Sequence, residues 1–229
     1  MILSIIVPVY NEEKTIVEIL EKIKRNSSNI FKYEIIVIDD GSIDQSRKLL
    51  EANKHLYNKL LINDTNKGKG FSVKKGILNA SGTHIIFQDA DLEYDPADFK
   101  KFEKIFFDFD ADGIIGSRYT YPEYTSSQNL LNKIGNKIVT YILNLLYNTT
   151  FTDVYSCYFA FKKNLLNAHK LRTEGFEQHA EILCKVIKKG NKFYEVPINY
   201  NARKYSEGKK IRPYHFFLIV FQLIRERIL

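Results

Sequence analysis

The sequence predicts an α/β protein with a mostly parallel central sheet flanked by helices on both faces. Two observations in the first 117 residues predict this class. Short, nearly continuous apolar runs recur, as is typical of strands buried on both faces: 3–9, 33–39, 59–64, 83–89 and 112–117. The segments between these runs carry apolar residues at three- and four-residue spacing, which is the pattern of helices packed on one side: 12–25, 43–56, 68–80 and 96–109. Strands and helices that alternate in this way form a parallel sheet.

The second part of the chain continues the same domain with a different pattern. After Arg118 the sequence predicts a long apolar helix, a strand, a helix, another strand and a last amphipathic helix: 129–147, 153–161, 176–189, 192–200 and 213–229. No repeat, low-complexity tract or linker separates the two parts. We therefore expect one domain over 1–229, with a first half at 1–118, a second half at 119–212 and a C-terminal amphipathic helix at 213–229.

Composition limits the environment of the protein. Hydrophobic residues make up 45% of the 229 residues, which is enough for a substantial core. Cys157 and Cys184 have neither disulfide-framework nor zinc spacing, which favours a reducing compartment. The first apolar run ends at Pro8 with no basic segment before it, so we expect a cytoplasmic protein without a signal peptide. The apolar run at 216–224 is shorter than the roughly 20 residues that span a bilayer.

Positive charge is concentrated in the C-terminal third of the chain. From Lys162 onward there are 15 Lys and Arg residues against 6 Glu, whereas the whole chain has a net charge of +7. This bias indicates an anionic partner such as a phosphorylated ligand, a lipid head group or a nucleic acid. A solvated Lys-rich surface is the alternative interpretation.

Polar side chains follow each of the five strands predicted in the first half. Ligands of open parallel sheets bind outside the carboxyl ends of the strands, so these residues are expected to define one crevice. Several of them also suit helix N-caps, and the two roles are compatible. The residues at the strand ends are Tyr10, Asn11, Glu12, Asp39, Asp40, Asn63, Asp64, Asp89, Asp91, Ser117 and Arg118.

The densest group of carboxylates follows the fourth strand. Asp89, Asp91 and Glu93 alternate along the chain, and hard oxygen ligands of this kind suit Mg²⁺ or Mn²⁺. These ions usually complete their coordination with water and substrate phosphates, which predicts a diphosphate ligand. An EF-hand calcium loop is excluded, because the positions that require Gly and Glu hold Tyr94 and Lys100.

The glycine-rich segment 66–76 is a second candidate for contact with an anion. Its residue order fits neither a Walker phosphate loop nor a dinucleotide fingerprint, which excludes both classes. Its glycines and Lys69 still predict that backbone amides at a helix start meet an anion.

Nine segments of the chain occur in the order that is found in one enzyme family. The chain resembles family 2 glycosyltransferases, and in particular the branch similar to dolichol-phosphate mannose synthase, over residues 3–212. The resemblance implies a GT-A fold and transfer of a hexose, with inversion, from a nucleotide diphosphate sugar of the GDP-mannose or UDP-glucose type. The implied acceptor is a polyprenyl phosphate. The resemblance also implies that residues 1–118 are the nucleotide-sugar-binding half and residues 119–212 the acceptor half. The segments are SIIVPVYNEE, VIDDGSIDQS, NKGKGFSVKKGI, QDADLEYDP, GSRY, TDVYSCYFAF, GFEQHAEIL, EVPINY and EGKKI.

The resemblance also implies roles for particular residues. Asp89, Asp91 and Glu93 would hold the Mg²⁺ or Mn²⁺ ion that bridges the donor diphosphate. Arg118, Arg203 and Lys209 would neutralise phosphate charge, and with Asp91, Glu177 and Glu181 they form the expected catalytic set. The residues expected to contact the donor are Pro8, Tyr10, Glu12, Ile38, Asp40, Lys69, Asp89 and Ala90.

Two acceptors stay open at this point. The oxygen of a polyprenyl phosphate is already ionised at pH 7, whereas a glycan hydroxyl needs a general base. Glu177 and Glu181 lie four residues apart, on one face of a helix, and either is a candidate base. The branch usually has Lys or Arg where this chain has Phe159, so the acceptor is either a lipid phosphate or a glycan hydroxyl.

Membrane contact and nucleic-acid binding are the remaining questions. We expect peripheral contact with the cytoplasmic face of a membrane through 136–147 and 213–229, with packing of both segments on the sheet as the alternative. A basic module that binds nucleic acid is a competing hypothesis, but a carboxylate-lined crevice disfavours it. The order of the motifs disfavours a nucleotidyltransferase. We expect no nucleic-acid partner.

Overall fold

The computed structural model describes residues 1–26, 28–126, 130–203, 210, 212 and 214–229, so the expected phosphate-neutralising residue Lys209 lies outside the described residues. The strands within them are β1 (Ile2–Val9), β2 (Lys32–Asp39), β3 (Lys59–Ile62), β4 (His84–Phe87), β5 (Gly113–Ser117), β6 (Phe159–Lys162) and β7 (Phe193–Pro197). The helices are α1 (Ile16–Arg25), α2 (Ser46–Ala52), α3 (Lys69–Asn79), α4 (Phe99–Phe109), α5 (Leu130–Tyr147), α6 (Gln178–Ile187) and α7 (His215–Ile228).

The described strands form one sheet in the order β3-β2-β1-β4-β6-β5-β7. β1 pairs in parallel with β2 and β4, β2 pairs in parallel with β3, and β5 pairs in parallel with β7. β6 runs antiparallel to both of its neighbours, β4 and β5. The other strands therefore share one direction, and their carboxyl ends meet at one edge of the sheet. The predicted α/β class with a mostly parallel sheet is confirmed.

Several of the predicted strands are shorter than the apolar pattern indicated, and polar side chains mark the change at β6 and β3. β6 begins at Phe159 rather than at 153, because Asp153 leaves the ladder to pair with Arg118 in the core. β3 ends at Ile62, since Asn63 turns its amide toward the carboxylate of Asp40, with Nδ2 to Oδ1 at 2.8 Å. In both places a buried polar side chain obtains a specific partner.

Close packing of α3 on the sheet buries one residue that was expected in the site. A Cβ atom at Gly76 would lie 2.6 Å from Cγ2 of Ile6 and 2.8 Å from Cδ1 of Ile38, so α3 approaches the sheet at a distance that only glycine permits. Ile38 is completely buried beneath this helix and does not line the cavity described below. The Ile38 side chain is therefore covered by α3, and the expected contact of Ile38 with the donor stays a prediction.

Helices α5 and α7 pack against each other and expose much of their apolar surface. Among the described residues, no helix has both the length and the apolar character that crossing a bilayer requires. The outward side chains of α5 include Leu130, Leu131, Ile134, Ile138, Tyr141 and Leu145. The outward side chains of α7 include Phe217, Leu218, Phe221, Ile224 and Ile228. The two helices thus form one continuous apolar face, which we call the α5–α7 face.

Candidate active site

A cavity of about 1160 Å³ opens at the carboxyl ends of β1, β2 and β4 and continues between α5, α6 and α7. Three residues expected in the site, Ile38, Glu177 and Glu181, do not line it. Expected site residues that do line it are Pro8, Tyr10, Glu12, Asp40, Lys69, Asp89, Ala90, Asp91, Glu93, Arg118 and Arg203. The strand-end crevice that the sequence predicted therefore exists as one wall of this cavity.

Hydrogen bonds between two loops fix the strand ends at the nucleotide side. The turn after β1 has a left-handed residue, Asn11, whose amide N donates to Ser42 Oγ over 3.0 Å. Its side-chain Oδ1 accepts from the amide of Ile43 at 2.9 Å. The amide of Glu12 donates to Ser46 Oγ at 2.8 Å. These polar residues join neighbouring strand ends rather than capping the nearest helix, which orients Glu12 toward the cavity.

Asp40 forms hydrogen bonds with the glycine-rich segment 66–76. Its carboxylate accepts from the amide of Lys67 at 3.0 Å, the amide of Gly68 at 2.9 Å and the side chain of Asn63. The next amides, of Gly70 and Phe71, donate to the carbonyl oxygen of Glu174. The amides of Lys67, Gly68, Gly70 and Phe71 are therefore engaged within the protein, and contact of this segment with an anionic ligand stays a prediction.

Chain cations pair with every carboxylate of the cluster after β4. Lys69 Nζ lies 2.5 Å from Asp89 Oδ1. Arg203 reaches Asp91 Oδ2 at 2.6 Å through NH2 and Glu12 Oε2 at 3.1 Å through NH1, and its backbone amide donates to Glu93 Oε1. Lys210 adds a contact to Glu12 Oε1 at 2.6 Å. We call this group of four carboxylates and three cations the charged cluster; its members are Glu12, Asp89, Asp91, Glu93, Lys69, Arg203 and Lys210.

The cations do not relieve the repulsion between the carboxylates equally. Burial, and then the charges of Asp89 and Glu93, raise the pKa of Asp91 to about 7 against the opposing charge of Arg203. Burial would also raise the pKa of Asp89, but the charge and hydrogen bond of Lys69 hold it below its usual value. Asp91 is therefore the carboxylate that would gain most from an additional cation.

The donor set suits a divalent ion, although the carboxylates do not surround a common point. Within the described residues no group of three or more His, Cys, Asp or Glu side chains is close enough to hold a metal ion. The predicted convergence of Asp89, Asp91 and Glu93 is therefore absent from this arrangement. Their oxygen donors and the raised pKa of Asp91 nevertheless fit Mg²⁺ or Mn²⁺, which bind with one or two carboxylates and complete their shell from phosphates and water.

Arg118 is neutralised by a partner that the sequence did not identify. Its Nε lies 2.6 Å from Asp153 Oδ2 and its NH2 lies 2.8 Å from Oδ1, in a bidentate pair. NH1 donates to the hydroxyl of Tyr94 at 3.3 Å, and the guanidinium lies over the ring of Tyr200. We expected Arg118 to neutralise phosphate charge. In the structure Arg118 is 5% exposed, and its guanidinium is already paired with Asp153.

The two candidate bases on α6 lie outside the cavity. Glu181 is completely buried, and its carboxylate accepts from the amides of Arg172 and Thr173 and from the Thr173 hydroxyl. Burial would raise its pKa, but these bonds hold it below the usual value, so it is a poor proton acceptor. Glu177 is partly exposed and accepts from the amide of Gly175 at 3.3 Å. The spacing predicted that Glu177 and Glu181 share one face, and this face is turned toward residues 172–175.

Sequence reasoning missed the part of the cavity wall that is formed by α5, α6, α7 and residues 155–157. Its polar members are Tyr155, Cys157, Gln178 and His179, and its apolar members are Leu131, Ile134, Ile138, Val139, Ile182, Phe216, Phe217 and Ile219. The apolar spacing of 129–147 and 213–229 predicted two helices but not that they face each other. Phe159 is fully buried in β6 and does not line the cavity.

Comparison with known proteins identifies the family of the chain. The family model described as glycosyl transferase family 2 matches residues 4–169, and the chain belongs to that family. The chain is 30% identical over 212 residues to a dolichol-phosphate mannosyltransferase of Pyrococcus furiosus, covering 91% of this chain but only 59% of that relative. It is a glycosyltransferase, as the sequence predicted.

Two solved structures share the fold. Glucosyl-3-phosphoglycerate synthase from Mycobacterium tuberculosis, in complex with Mn²⁺, UDP and glucosyl-3-phosphoglycerate, superposes with a TM-score of 0.72 at 17% identity, covering 98% of this chain and 78% of that chain. Residues 1–349 of S. aureus TarS, in complex with UDP-GlcNAc, give a TM-score of 0.68 at 17% identity, with 99% and 66% covered. The predicted GT-A fold is confirmed.

Proposed function

We propose that this chain transfers a hexose from a nucleoside diphosphate hexose to a polyprenyl phosphate, with inversion at the anomeric carbon. The observation that carries the proposal is one cavity that joins the charged cluster to an apolar wall between α5 and α7. A sugar diphosphate suits the first part, and a long isoprenoid suits the second. The similarity to a dolichol-phosphate mannosyltransferase supports the same pair of substrates.

The nucleotide would bind where β1 and β2 end. Pro8 and Tyr10 form the cavity wall there, and Asp40 uses three acceptor positions within the protein, which leaves capacity for one ligand donor. UDP in the glucosyl-3-phosphoglycerate synthase structure and UDP-GlcNAc in the TarS structure support a nucleoside diphosphate as the donor group.

The carboxylates after β4 would hold the divalent ion of the donor complex. Asp91 and Asp89 are the main candidates, with Glu93 beside them. When bound, Mg²⁺ or Mn²⁺ neutralises the diphosphate and stabilises the charge that develops on the leaving oxygen. Lys69 and Arg203 already lie beside these carboxylates, and they would orient the diphosphate through direct ionic contact once it replaces their present partners.

The acceptor phosphate needs little help from a general base. Its attacking oxygen is ionised at neutral pH, so binding and orientation are the main requirements. This agrees with the position of Glu181, which is fully engaged away from the cavity. The isoprenoid would lie along Leu131, Ile134, Ile138 and Phe216.

The α5–α7 face would rest on a membrane surface where such lipids reside. These helices carry large exposed apolar side chains and three exposed cations, Lys133, Lys137 and Arg227. This combination suits helices that lie in the interfacial region of an anionic bilayer. We therefore place the enzyme at the cytoplasmic face of the membrane, as a peripheral protein.

A glycan hydroxyl is the second candidate acceptor, and Asp91 is the observation in its favour. A carboxyl group with a pKa of about 7 has the basicity that a general base needs at neutral pH. In this candidate Asp91 would not hold the metal ion, and it would be the general base in place of Glu177 or Glu181. This candidate predicts turnover with hydroxylated acceptors and none with lipid phosphates.

The test is transfer by the purified full chain in detergent with Mg²⁺ or Mn²⁺, a short polyprenyl phosphate and either GDP-mannose or UDP-glucose. The proposal predicts a polyprenyl phosphate hexose by mass spectrometry, absent with Asp91→Asn and unchanged with the exposed control Asp108→Asn. Formation of a glycoside from a sugar acceptor, with no lipid product, would favour the second candidate. No transfer to either acceptor would refute both.

A further inference from the structure

His179 lies on the wall of the cavity, and the proposed roles leave it unused. It belongs to α6, lines the cavity and is partly exposed. Its ring packs edge-on to Tyr155 at 5.3 Å, to Phe159 at 6.1 Å and to Phe87 at 6.5 Å between centroids. A polar ring held by three aromatic rings has a fixed orientation, which is the first requirement for recognition of a ligand.

One ring nitrogen is committed to the protein. Nε2 lies 3.1 Å from the carbonyl oxygen of Val154. A carbonyl oxygen only accepts hydrogen bonds, so Nε2 carries the proton and donates it. Val154 is itself held in place, because its amide donates to Thr140 Oγ1 and the preceding Asp153 pairs with Arg118. The tautomer of His179 is therefore set by a rigid segment.

The other nitrogen is an acceptor with an unused lone pair. Burial, reinforced by the charge of Lys69, lowers the pKa of His179 to about 4, so the ring is neutral at pH 7 and Nδ1 has no proton. Across the described ranges, no protein group forms a hydrogen bond with Nδ1, and Nδ1 is not one of the fully buried orphan atoms. Because the ring lines the cavity, Nδ1 is available to a bound molecule.

An unprotonated Nδ1 selects the kind of group that can lie against it. It attracts a hydroxyl hydrogen and repels an ionised phosphate oxygen. A polyprenyl phosphate has no hydroxyl on its chain, whereas a hexose has several. The nucleoside belongs with β1 and β2, while His179 packs on Phe87 of β4 and Phe159 of β6. The group that reaches His179 is therefore beyond the diphosphate as seen from the nucleoside.

We infer that His179 recognises the transferred hexose by accepting a hydrogen bond at Nδ1 from one of its hydroxyl groups. This inference rests on the proposed nucleoside diphosphate hexose donor and names a specificity-determining residue for it. Loss of such a bond, with the hydroxyl left against an apolar ring wall, is expected to weaken binding of the sugar by about tenfold.

Two substitutions separate recognition from structure. His179→Gln places a donor near the position of Nε2, so it can keep the bond to Val154 while it removes the acceptor at Nδ1. His179→Asn places an amide near the position of Nδ1, so it can keep an acceptor there while it loses the bond to Val154. The first variant is expected to fold with nearly unchanged stability, and the second to lose some stability.

The experiment is calorimetric titration of the full chain with Mn²⁺ and two ligand pairs, GDP with GDP-mannose and UDP with UDP-glucose. The ratio of the Kd of the sugar nucleotide to the Kd of its nucleoside diphosphate measures the contribution of the hexose to binding. We expect His179→Gln to raise this ratio about tenfold for the pair that the wild type binds, and His179→Asn to leave it nearly unchanged.

Other outcomes would overturn the inference or restrict the proposed function. An unchanged ratio in His179→Gln, or equal weakening of both members of a pair, would mean that His179 is structural. Wild-type protein that shows the predicted ratios but never glycosylates a lipid phosphate would refute the proposed acceptor and leave the role of His179 intact. Absence of binding by the wild type to either pair would refute the donor and the inference together.

Discussion

At the strand ends, each of four carboxylates lies within ion-pair distance of at least one of three chain cations, whereas the same cavity continues between α5 and α7 along apolar side chains. The first region has many specific polar partners and unrelieved repulsion at Asp91. The second has few polar partners and an outer surface that is also apolar. From this contrast we expect the first region to bind a charged ligand, which would replace some of the present ionic contacts. We expect the second region to bind an apolar ligand, for which exclusion of water is sufficient.

A third part of the cavity wall contains a charged side chain whose charge is compensated within the protein. Arg118 and Asp153 form a bidentate pair with side chains that are 6% and 0% exposed, and the guanidinium also donates to the hydroxyl of Tyr94 and to the carbonyl oxygen of Tyr155. The charged cluster differs from this pair because the repulsion at Asp91 is not fully compensated.

The largest expected effect concerns this buried pair. Asp153→Ala leaves the charge of Arg118 without its partner in the core, and we expect a loss of about 3–5 kcal/mol in the free energy of unfolding. Chemical denaturation monitored by circular dichroism measures it. The control Asp108→Ala removes an exposed ion pair with Lys104 and is expected to change stability by less than about 0.5 kcal/mol. Equal effects of both substitutions would remove the distinction between the two regions.

The charged cluster is expected to matter for catalysis instead. Asp91→Asn keeps the size of the side chain but removes the charge that a metal diphosphate requires, so kcat/KM for transfer should fall about 10²–10³-fold. Initial-rate kinetics with each donor give this number. A variant with more than a tenth of wild-type activity would contradict the assignment.

Asp91→Asn should lower activity, but it should raise the stability of the ligand-free protein. The pKa of Asp91 is raised to about 7 in the folded protein, so its contribution to stability is fully present below about pH 4 and is lost as pH rises through 7. Above pH 7, Asp91→Asn is expected to stabilise the ligand-free protein by about 1–2 kcal/mol. Denaturation curves at pH 5.5 and 8 test this, since the difference between variant and wild type should be larger at pH 8.

The smallest expected effect concerns the outer surface of the acceptor region. Phe221 is 63% exposed and lies on the α5–α7 face. Phe221→Ser should weaken binding to vesicles of anionic phospholipid about tenfold without lowering turnover of a short, detergent-dispersed lipid phosphate. Vesicle sedimentation measures the binding. Phe107→Ser is a matched control, because Phe107 is 65% exposed on α4 and should leave vesicle binding unchanged.

Much of the first region could be predicted from the sequence because local patterns determine it. Apolar runs gave the strands, and residues directly after a parallel strand must lie at the ligand edge, which located Glu12, Asp40, Asp89 and Asp91. An apolar run carries no information on direction, so the antiparallel course of β6 was not predicted.

The rest depended on contacts that are distant in sequence. Asp153 neutralises Arg118 from 35 residues away, and no spacing rule connects them. Helical spacing placed Glu177 and Glu181 on one face but did not reveal that this face is turned toward the 172–175 segment. His179 gave no signal because its role depends on the carbonyl of Val154 and on aromatic neighbours from two strands.

The most direct test of the account is binding of GDP and UDP to the full chain, by calorimetric titration with Mn²⁺ and again with a chelator, for wild type and Asp91→Asn. The account predicts that one nucleoside diphosphate binds in a metal-dependent way and that Asp91→Asn abolishes the dependence. At ligand concentrations of roughly 100 times Kd, the wild type should also gain about 2.7 kcal/mol in stability. Equal binding with and without metal, or equal binding by the variant, would show that the charged cluster does not hold a metal diphosphate.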